Sequence, residues 1–284
     1  VTLYGTDRTE LLDGAFALCD HYEKLFSRTL PESEIYRLNH GEISEVSPET
    51  SELIQIGLSY GELSEGAFDI SIEPVPSLWD FTSGNAVIPD EKELAEAVAL
   101  VDYRKVHVNG NTVTVDTPGM GLDLGAIAKG YIADRLADYL AENGVDSALL
   151  DLGGNIYVLG KKSGRPWRVG IRDPKDPQGL AAMVEAENAS VVTSGVYERA
   201  FTVDGVVYHH ILDPATGKPV RNGLASVTIV SDKSADGDAL STACFVLGED
   251  AGMRLVESLA GVEALFIRED GTLAASKGLV YEEK

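Results

Sequence analysis

At 284 residues, the chain is long enough to bury a large hydrophobic core and to form two subdomains. Hydrophobic residues make up 44% of it, which is typical of an ordinary globular protein. The formal net charge of −23 argues against nucleic acid or an anionic membrane as a direct partner, although a bound divalent cation would still allow an anionic ligand.

Helices dominate the first 105 residues of the predicted structure. Apolar residues recur there at helical spacing, and Ser47 before Pro48 is typical of a helix start. Pro89, with acidic residues after it, is typical of another start. The predicted helices cover residues 9–30, 48–66 and 89–101, with a turn or half-helix at 32–41 and an irregular, proline-rich stretch at 66–81.

A further helix is predicted for residues 123–140, and a glycine-rich turn precedes it. Free backbone N–H groups at such a helix start favour an anion. Lys129 lies in the first turn, where a cation opposes the helix dipole, so a ligand carboxylate or phosphate would explain it. A solvated Lys129, or a pair between Lys129 and Asp123, would explain it equally well. The pattern alone leaves these alternatives open.

Strands that look antiparallel dominate the second half of the chain. Alternating apolar residues, separated by Asn-Gly, Gly-Gly and Asp-Gly turns, predict a series of hairpins. Residues 236–259 predict a helix, a glycine break and a second helix. Early helices and late strands indicate an α+β fold. Cys19 and Cys244 lie among apolar residues, which favours buried thiols over a disulfide.

Asp238 and Thr242 would share one face of the predicted helix, because they are four residues apart. A carboxylate and a hydroxyl at this spacing can bind one hard cation. Mg²⁺ would suit them, since it takes oxygen ligands and keeps positions for water or phosphate. A helix-capping aspartate beside a half-buried threonine gives the same spacing. Spacing alone therefore leaves the metal site and the cap open.

His209 and His210 end a predicted strand, where adjacent side chains face opposite ways. Only one of them can point toward a given site, which argues against metal binding by both. The glycine turns at 151–155 and 193–195 also follow strands. They lack the G-x-G-x-x-G and G-x-S-x-G patterns, so neither a Rossmann site nor a hydrolase triad is indicated.

Taken in chain order, these segments resemble one family, the ApbE-type flavin transferases. The resemblance spans nearly the whole chain, and the combination of segments is highly specific. The matching segments are SEIYRLN (33–39), GAFDISIEPVPSLWDF (66–81), LDLGAIAKGYIAD (122–134), LLDLGGNIYVLG (149–160), RVGIRDP (168–174), VVTSGVYERAF (191–201), HHILDPATGKP (209–219) and ADGDALSTACFVLG (235–248).

The resemblance implies an enzyme that transfers FMN from FAD to a Thr or Ser hydroxyl of another protein, releases AMP and requires Mg²⁺. The acceptors in this family are redox-complex subunits with a short Ser/Thr-rich motif. The resemblance also implies an α+β fold of two intimately packed parts, with a flavin cleft between them. We expect a single domain over residues 1–284, in which a helical part, 1–105, packs on a mixed part, 106–284.

The resemblance assigns roles by position. Asp238 and Thr242 match metal-binding side chains, and Ala126 matches the residue whose backbone carbonyl binds the metal. Asp238 and His210 are the candidate catalytic residues, with His209 as the alternative acid–base group. The positions that match FAD contacts are Thr29, Ala67, Phe68, Asp69, Asp123, Lys129 and Ile211.

One departure from the family pattern opens an alternative. Thr29 aligns with a position that is Tyr or Asn in some relatives and that influences whether FAD is held or hydrolysed. An FAD pyrophosphatase that makes FMN and AMP is therefore a second hypothesis, and a non-catalytic FAD-binding protein is a third. Relatives often carry a preceding signal segment with a lipid-attachment cysteine, so we expect an extracytoplasmic, membrane-anchored protein.

Overall fold

The computed structural model describes residues 1–81 and 86–284. The helices within these ranges are α1 (Glu10–Phe26), α2 (Glu34–Asn39), α3 (Pro48–Leu63), α4 (Glu91–Val98), α5 (Ala128–Glu142), α6 (Ser234–Leu247) and α7 (Glu249–Glu257). The strands are β1 (Thr2–Leu3), β2 (Val106–Asn109), β3 (Thr112–Val115), β4 (Ser147–Asp151), β5 (Asn155–Gly160), β6 (Trp167–Asp173), β7 (Asp176–Ala186), β8 (Ala189–Gly195), β9 (Ala200–Val203), β10 (Val206–His209), β11 (Leu224–Ser231), β12 (Val262–Arg268), β13 (Leu273–Ala275) and β14 (Tyr281–Glu283).

Internal contacts divide the chain into two compact units that are each discontinuous in sequence. The first unit consists of Val1–Tyr22, Ile127–Gly195 and Gly223–Lys284. The second unit consists of Glu23–Ala126 and Val196–Asn222. The single-domain organisation expected from the sequence, with its helical and mixed parts, stays a prediction.

The first unit is built on an antiparallel sheet of strand order β1-β4-β5-β8-β11-β12-β13. A smaller sheet of order β14-β7-β6 packs on one face, where Val158 and Leu265 of the large sheet share an apolar cluster with Val184. Helix α5 packs on the other face through Leu136, which clusters with Leu150 of β4. Helix α6 packs on β8 and β11. Strand β11 is therefore buried along nearly its whole length.

The second unit contains α2, α3 and α4 and two hairpins, β2–β3 and β9–β10. One core cluster of this unit joins α4 to the proline-rich stretch through Val75, Trp79, Leu94 and Leu212. The Trp79 indole Nε1 also donates to the Gly217 carbonyl at 3.0 Å. Local packing thus gives the irregular segment at residues 66–81 a defined structure without regular helix or strand over most of its length.

The α+β prediction is confirmed, and the predicted elements occur in the predicted order. The first helix ends earlier than its apolar pattern, at Phe26, and the Ser27 hydroxyl then accepts the backbone N–H groups of Thr29 and Leu30. Helix α4 begins at Glu91, because the Asp90 side chain caps it. No helix within the described ranges is long and apolar enough to cross a lipid bilayer.

Candidate active site

The start of α5 meets the first turns of α6 within the first unit. The Lys129 ammonium lies 3.1 Å from Oδ1 and 3.4 Å from Oδ2 of Asp238. The backbone N–H of Gly130 donates to Asp238 Oδ2 at 2.9 Å. Two residues separated from Asp238 by more than 100 positions therefore contact one carboxylate.

Asp238 is the cap of α5 rather than of its own helix. Ile127 precedes α5 and makes no side-chain capping bond, and the third residue of the helix donates to Asp238 instead. The Asp238 side chain is only 5% exposed, whereas that of Lys129 is 42% exposed. A carboxylate this buried needs a charged or hydrogen-bonding partner, and the start of α5 supplies both kinds. The sequence left open a ligand anion, solvation or a pair with Asp123 for Lys129, and the structure shows a contact with Asp238 that none of these alternatives named.

Thr242 lies one turn after Asp238 in α6, as their spacing predicts. A hydroxyl group on β8, Ser194 Oγ, lies 3.4 Å from Thr242 Oγ1 and 2.8 Å from Ser241 Oγ. Ser241 also donates to the Asp238 carbonyl at 2.9 Å. The sequence around 193–195 resembles only a nucleophile turn, so the contact of Ser194 with these α6 hydroxyls could not be predicted from it.

The donors around Asp238 fit a hard divalent cation. A carboxylate and a hydroxyl one helical turn apart are oxygen ligands of the kind that Mg²⁺ prefers. The described ranges contain no cluster of three or more His, Cys, Asp or Glu side chains that could hold a metal. In phosphate-transferring enzymes Mg²⁺ is commonly held by one or two carboxylates together with water and substrate phosphate oxygens, and a single carboxylate beside a hydroxyl is compatible with that arrangement. Ala126 lies at the end of the second unit, two residues before α5, and its carbonyl's role stays a prediction.

Asp123 is part of a charged group in the second unit. Arg28 Nε lies 2.9 Å from Asp123 Oδ2, and the Gly125 N–H donates to Asp123 Oδ1 at 2.8 Å. The Arg28 guanidinium also donates to Ser77 Oγ at 3.0 Å and lies 3.7 Å from Glu73. Arg28 directly precedes the exposed Thr29. Two predicted FAD contacts, Thr29 and Asp123, thus lie next to an arginine that no sequence motif indicated.

Asp69 organises the loop in which the predicted flavin contacts Ala67 and Phe68 lie. One oxygen of Asp69 accepts the Ser71 N–H at 2.8 Å and the Ser71 hydroxyl at 2.6 Å. The other oxygen accepts the Tyr103 N–H at 2.9 Å. Burial raises the pKa of the Asp69 carboxyl, and the hydrogen bonds from Ser71 and Tyr103 oppose that rise. These contacts give Asp69 a structural role, and FAD contact at residues 67–69 stays a prediction.

The two histidines differ as the strand pattern predicts. His209 is buried at the end of β10, and its Nε2 lies 2.9 Å from the Val220 carbonyl. His210 follows the strand and is half-buried, with its backbone N–H donating to the Arg199 carbonyl at 3.1 Å. Ile211, the next predicted contact, is buried. This geometry favours His210 over His209 as an acid–base group.

Neither cysteine is suited to act as a nucleophile. Both are free thiols, as the sequence predicts. Burial raises the pKa of the Cys244 thiol to about 12 and also raises that of Cys19. Since the thiolate is the reactive form, neither side chain is activated for covalent chemistry.

The chain is similar to flavin transferases in sequence and in structure. A model of the ApbE family matches residues 1–266. Proteins named FAD:protein FMN transferase from Treponema pallidum and Klebsiella pneumoniae are 41% and 37% identical, over 95% and 96% of this chain and 80% and 87% of their own lengths. The crystal structure of the ApbE protein of Thermotoga maritima matches with a TM-score of 0.89 and 33% identity, covering 96% of this chain and 91% of that one.

A second solved structure gives the same result. The flavin transferase ApbE from Vibrio cholerae matches with a TM-score of 0.86 and 32% identity, covering 96% of this chain and 90% of that one. The family model and both relatives extend over nearly all of the elements described above. The chain belongs to the ApbE family, with the α+β fold of that family.

Proposed function

We propose that this chain is an FAD:protein FMN transferase, which moves FMN from FAD to a Thr or Ser hydroxyl of an acceptor protein and releases AMP. Its relatives with this name align over nearly the full chain. The single observation that carries the proposal is the contact of Lys129 with the buried Asp238, one helical turn before Thr242, in such a fold. The Asp238 carboxylate and the Thr242 hydroxyl are suited to bind a metal ion, and the Lys129 ammonium is suited to the negative charge of a pyrophosphate.

Mg²⁺ is the cofactor that this donor set supports best. Asp238 and Thr242 would hold it, with the Ala126 carbonyl as the third protein ligand expected from the family resemblance. When bound, magnesium supplies neutralisation of the charge on pyrophosphate oxygens. Lys129 supplies a further positive charge beside the same carboxylate, and Asp238 keeps that lysine in place.

The transfer step exchanges the phosphoanhydride bond of FAD for a phosphoester bond to the acceptor. The acceptor hydroxyl oxygen bonds to the FMN phosphorus, and the bond from that phosphorus to the bridging oxygen of AMP breaks. AMP leaves with the electron pair of that bond, and the hydroxyl proton passes to a base. We assign the base to His210, because His209 is buried and contacts a backbone carbonyl.

The assignment of His210 is tested by His210→Gln. We expect the transfer rate to fall about 100-fold or more, the range for loss of a general base, with FAD binding retained. His107→Gln is the matched control, because His107 is exposed and pairs only with the surface residue Asp116 among the contacts described. Transfer by His210→Gln at the wild-type rate would remove His210 from the mechanism.

FAD hydrolysis is the second candidate function, and the environment of Thr29 favours it. Thr29 is exposed beside the Arg28–Asp123 pair, so water has access to this part of the chain. AMP release is measured with FAD and Mg²⁺, with and without an acceptor protein. A transferase releases AMP mainly when acceptor is present, whereas a pyrophosphatase releases it in both cases. Intact FAD in both cases would mean a non-catalytic FAD-binding protein.

The acceptor and the location of the protein are proposed from the family resemblance. We infer that the acceptor is a redox-complex subunit with a Ser/Thr-rich motif, and that the protein works outside the cytoplasm, anchored to the cell membrane by a lipid. Fractionation of cells that express the natural gene tests the location. Recovery of the protein in the soluble cytoplasmic fraction would contradict it.

A further inference from the structure

Helix α6 is capped by a side chain from α5. Lys233 precedes α6 and makes no side-chain capping bond. Instead, the backbone N–H of Ser234 donates to Asp134 Oδ1 at 2.7 Å, and that of Ala235 donates to Asp134 Oδ2 at 3.0 Å. Both oxygens of the Asp134 carboxylate are thus used on the first two free N–H groups of the helix.

The capping between the two helices is reciprocal. Asp238 of α6 accepts the Gly130 N–H of α5, while Asp134 of α5 accepts the Ser234 N–H of α6. In α5, Asp134 lies four residues after Gly130, and in α6, Asp238 lies four residues after Ser234. Because Gly130 contacts Asp238 and Asp134 contacts Ser234, the first turns of the two helices are antiparallel. The position of Asp238 is therefore linked to that of Asp134 through the Gly130–Asp238 and Asp134–Ser234 hydrogen bonds.

Close packing leaves α6 little room to shift along α5. A Cβ atom built on Gly130 would contact the Ser234 carbonyl oxygen and lie 2.7 Å from Ala235 Cα. The Ser234 hydroxyl donates to Asn155 Oδ1 on β5 at 2.7 Å. The N-terminus of α6 is consequently held by α5 and by the sheet, one turn before Asp238.

We propose that Asp134 is a positioning residue of the transferase site, which fixes the N-terminus of α6 and thereby places Asp238 and Thr242. The proposal rests on the proposed function, because those two residues are the metal ligands there. No contact between Asp134 and substrate is required. A shift of α6 by a fraction of a turn would move its carboxylate and its hydroxyl away from their shared cation.

A carboxylate is needed at residue 134 because it accepts at both oxygens. An asparagine would present its –NH₂ group to one of the two N–H donors and lose that bond. Burial raises the pKa of the Asp134 carboxyl to about 6, and the nearby Asp236 adds to that rise. The group is therefore still mainly ionised at neutral pH. The Asp134 carboxylate keeps its charge although burial disfavours the charged form, which is consistent with a role beyond packing.

The test compares Asp134→Asn with Asp138→Asn, the same substitution one turn further along α5. Asp138 is 62% exposed and pairs with Arg135 on the surface, so Asp138→Asn shows the effect of removing a carboxylate charge from α5 without removing the cap of α6. For Asp134→Asn we expect a kcat for FMN transfer about 10- to 100-fold lower and a Kd for Mn²⁺ raised to a similar extent, as for residues that orient metal ligands. FAD affinity without metal should change little. Asp138→Asn should leave all three values near wild type.

Hydrogen exchange separates positioning from general loss of stability. In Asp134→Asn, the amides of Ser234 and Ala235 should exchange faster while those of the central sheet keep their protection. If Asp134→Asn does not fold, Asp134→Ala takes its place. Alanine has no –NH₂ group to oppose the N–H groups of Ser234 and Ala235, and it leaves room for water to accept from them.

Three results would overturn the proposal: wild-type kcat and Mn²⁺ affinity in the variant, a loss of protection across the whole unit, or failure of both variants to unfold cooperatively. A wild-type protein that transfers no FMN would instead refute the proposed function. The Mn²⁺ and exchange measurements would then still decide the role of Asp134.

Discussion

Asp238 contributes to two structures at once, the start of α5 and the candidate metal site. Its carboxylate accepts the Gly130 N–H and contacts the Lys129 ammonium. The sequence predicted its place on a helix face with Thr242, because spacing within a helix is local. It did not predict Lys129 as its partner, since more than 100 residues separate the two. The metal site and the cap were alternatives in the sequence; the structure shows a cap, on α5 and not on the helix of Asp238 itself, and the metal site stays a prediction.

Asp238→Asn should abolish transfer while preserving cooperative unfolding. The amide keeps the shape of the side chain and can still accept the Gly130 N–H, but the negative charge that a dication requires is lost. We expect kcat to fall about 100-fold or more, measured by AMP release in the presence of acceptor. Asp236→Asn, two residues earlier in the same helix, is the control and should remain within about twofold of wild type. Unchanged turnover in Asp238→Asn would refute the role of this residue.

Among the elements of the first unit, the starts of α5 and α6 are held together by hydrogen bonds in both directions. Neither helix is capped by the residue before it, and each obtains its cap from the other. The hydrogen bonds join residues about 100 positions apart, so no local pattern could have revealed them. The close approach of Gly130 to the backbone of Ser234 is likewise a tertiary contact that a glycine in the sequence does not specify.

Gly130→Ala should destabilise the protein, because the added methyl group meets backbone atoms of Ser234 and Ala235. Overpacking of this kind costs about 2 kcal/mol, which corresponds to a Tm lower by about 4–8 °C for a chain of this size. Gly14→Ala is the matched comparison, because its methyl group meets only the ring of Tyr139, a side chain that can move. Calorimetry should show the larger loss for Gly130→Ala. Equal losses would contradict the close backbone approach.

The Asp134 cap should make stability depend on pH in a defined direction. Burial raises the pKa of this carboxyl from its ordinary 3.8 to about 6, so the folded state binds the proton more tightly. The stability that comes from this tighter proton binding is fully present below pH 3.8, where the carboxyl is protonated in both states, and is lost as pH rises through about 6. The free energy of unfolding of wild type minus that of Asp134→Asn should therefore fall by about 2–3 kcal/mol between about pH 4 and 7. Denaturant titrations at both pH values measure it, and a difference that rises with pH would contradict the burial argument.

At the scale of the whole molecule, the order of elements and the family were predictable from the sequence, and the cross-helix contacts were not. Helical spacing, turn residues and strand alternation are local, so α3, the β2–β3 hairpin and the α6–α7 break occur where they were predicted. The ordered set of motifs indicated flavin transferases, and the family match confirms this. The partners of Lys129 and Asp123 depend on tertiary packing, and for both residues the structure gave partners that the sequence did not.

The central claim is that this chain attaches FMN covalently to another protein. Intact-mass spectrometry of an acceptor protein, incubated with the chain, FAD and Mg²⁺, tests it most directly. We expect a mass increase equal to one FMN on an acceptor Thr or Ser, with an equal amount of AMP, and no increase when Asp238→Asn replaces the wild type. An acceptor of unchanged mass, whether FAD stays intact or is converted to free FMN and AMP, would contradict it.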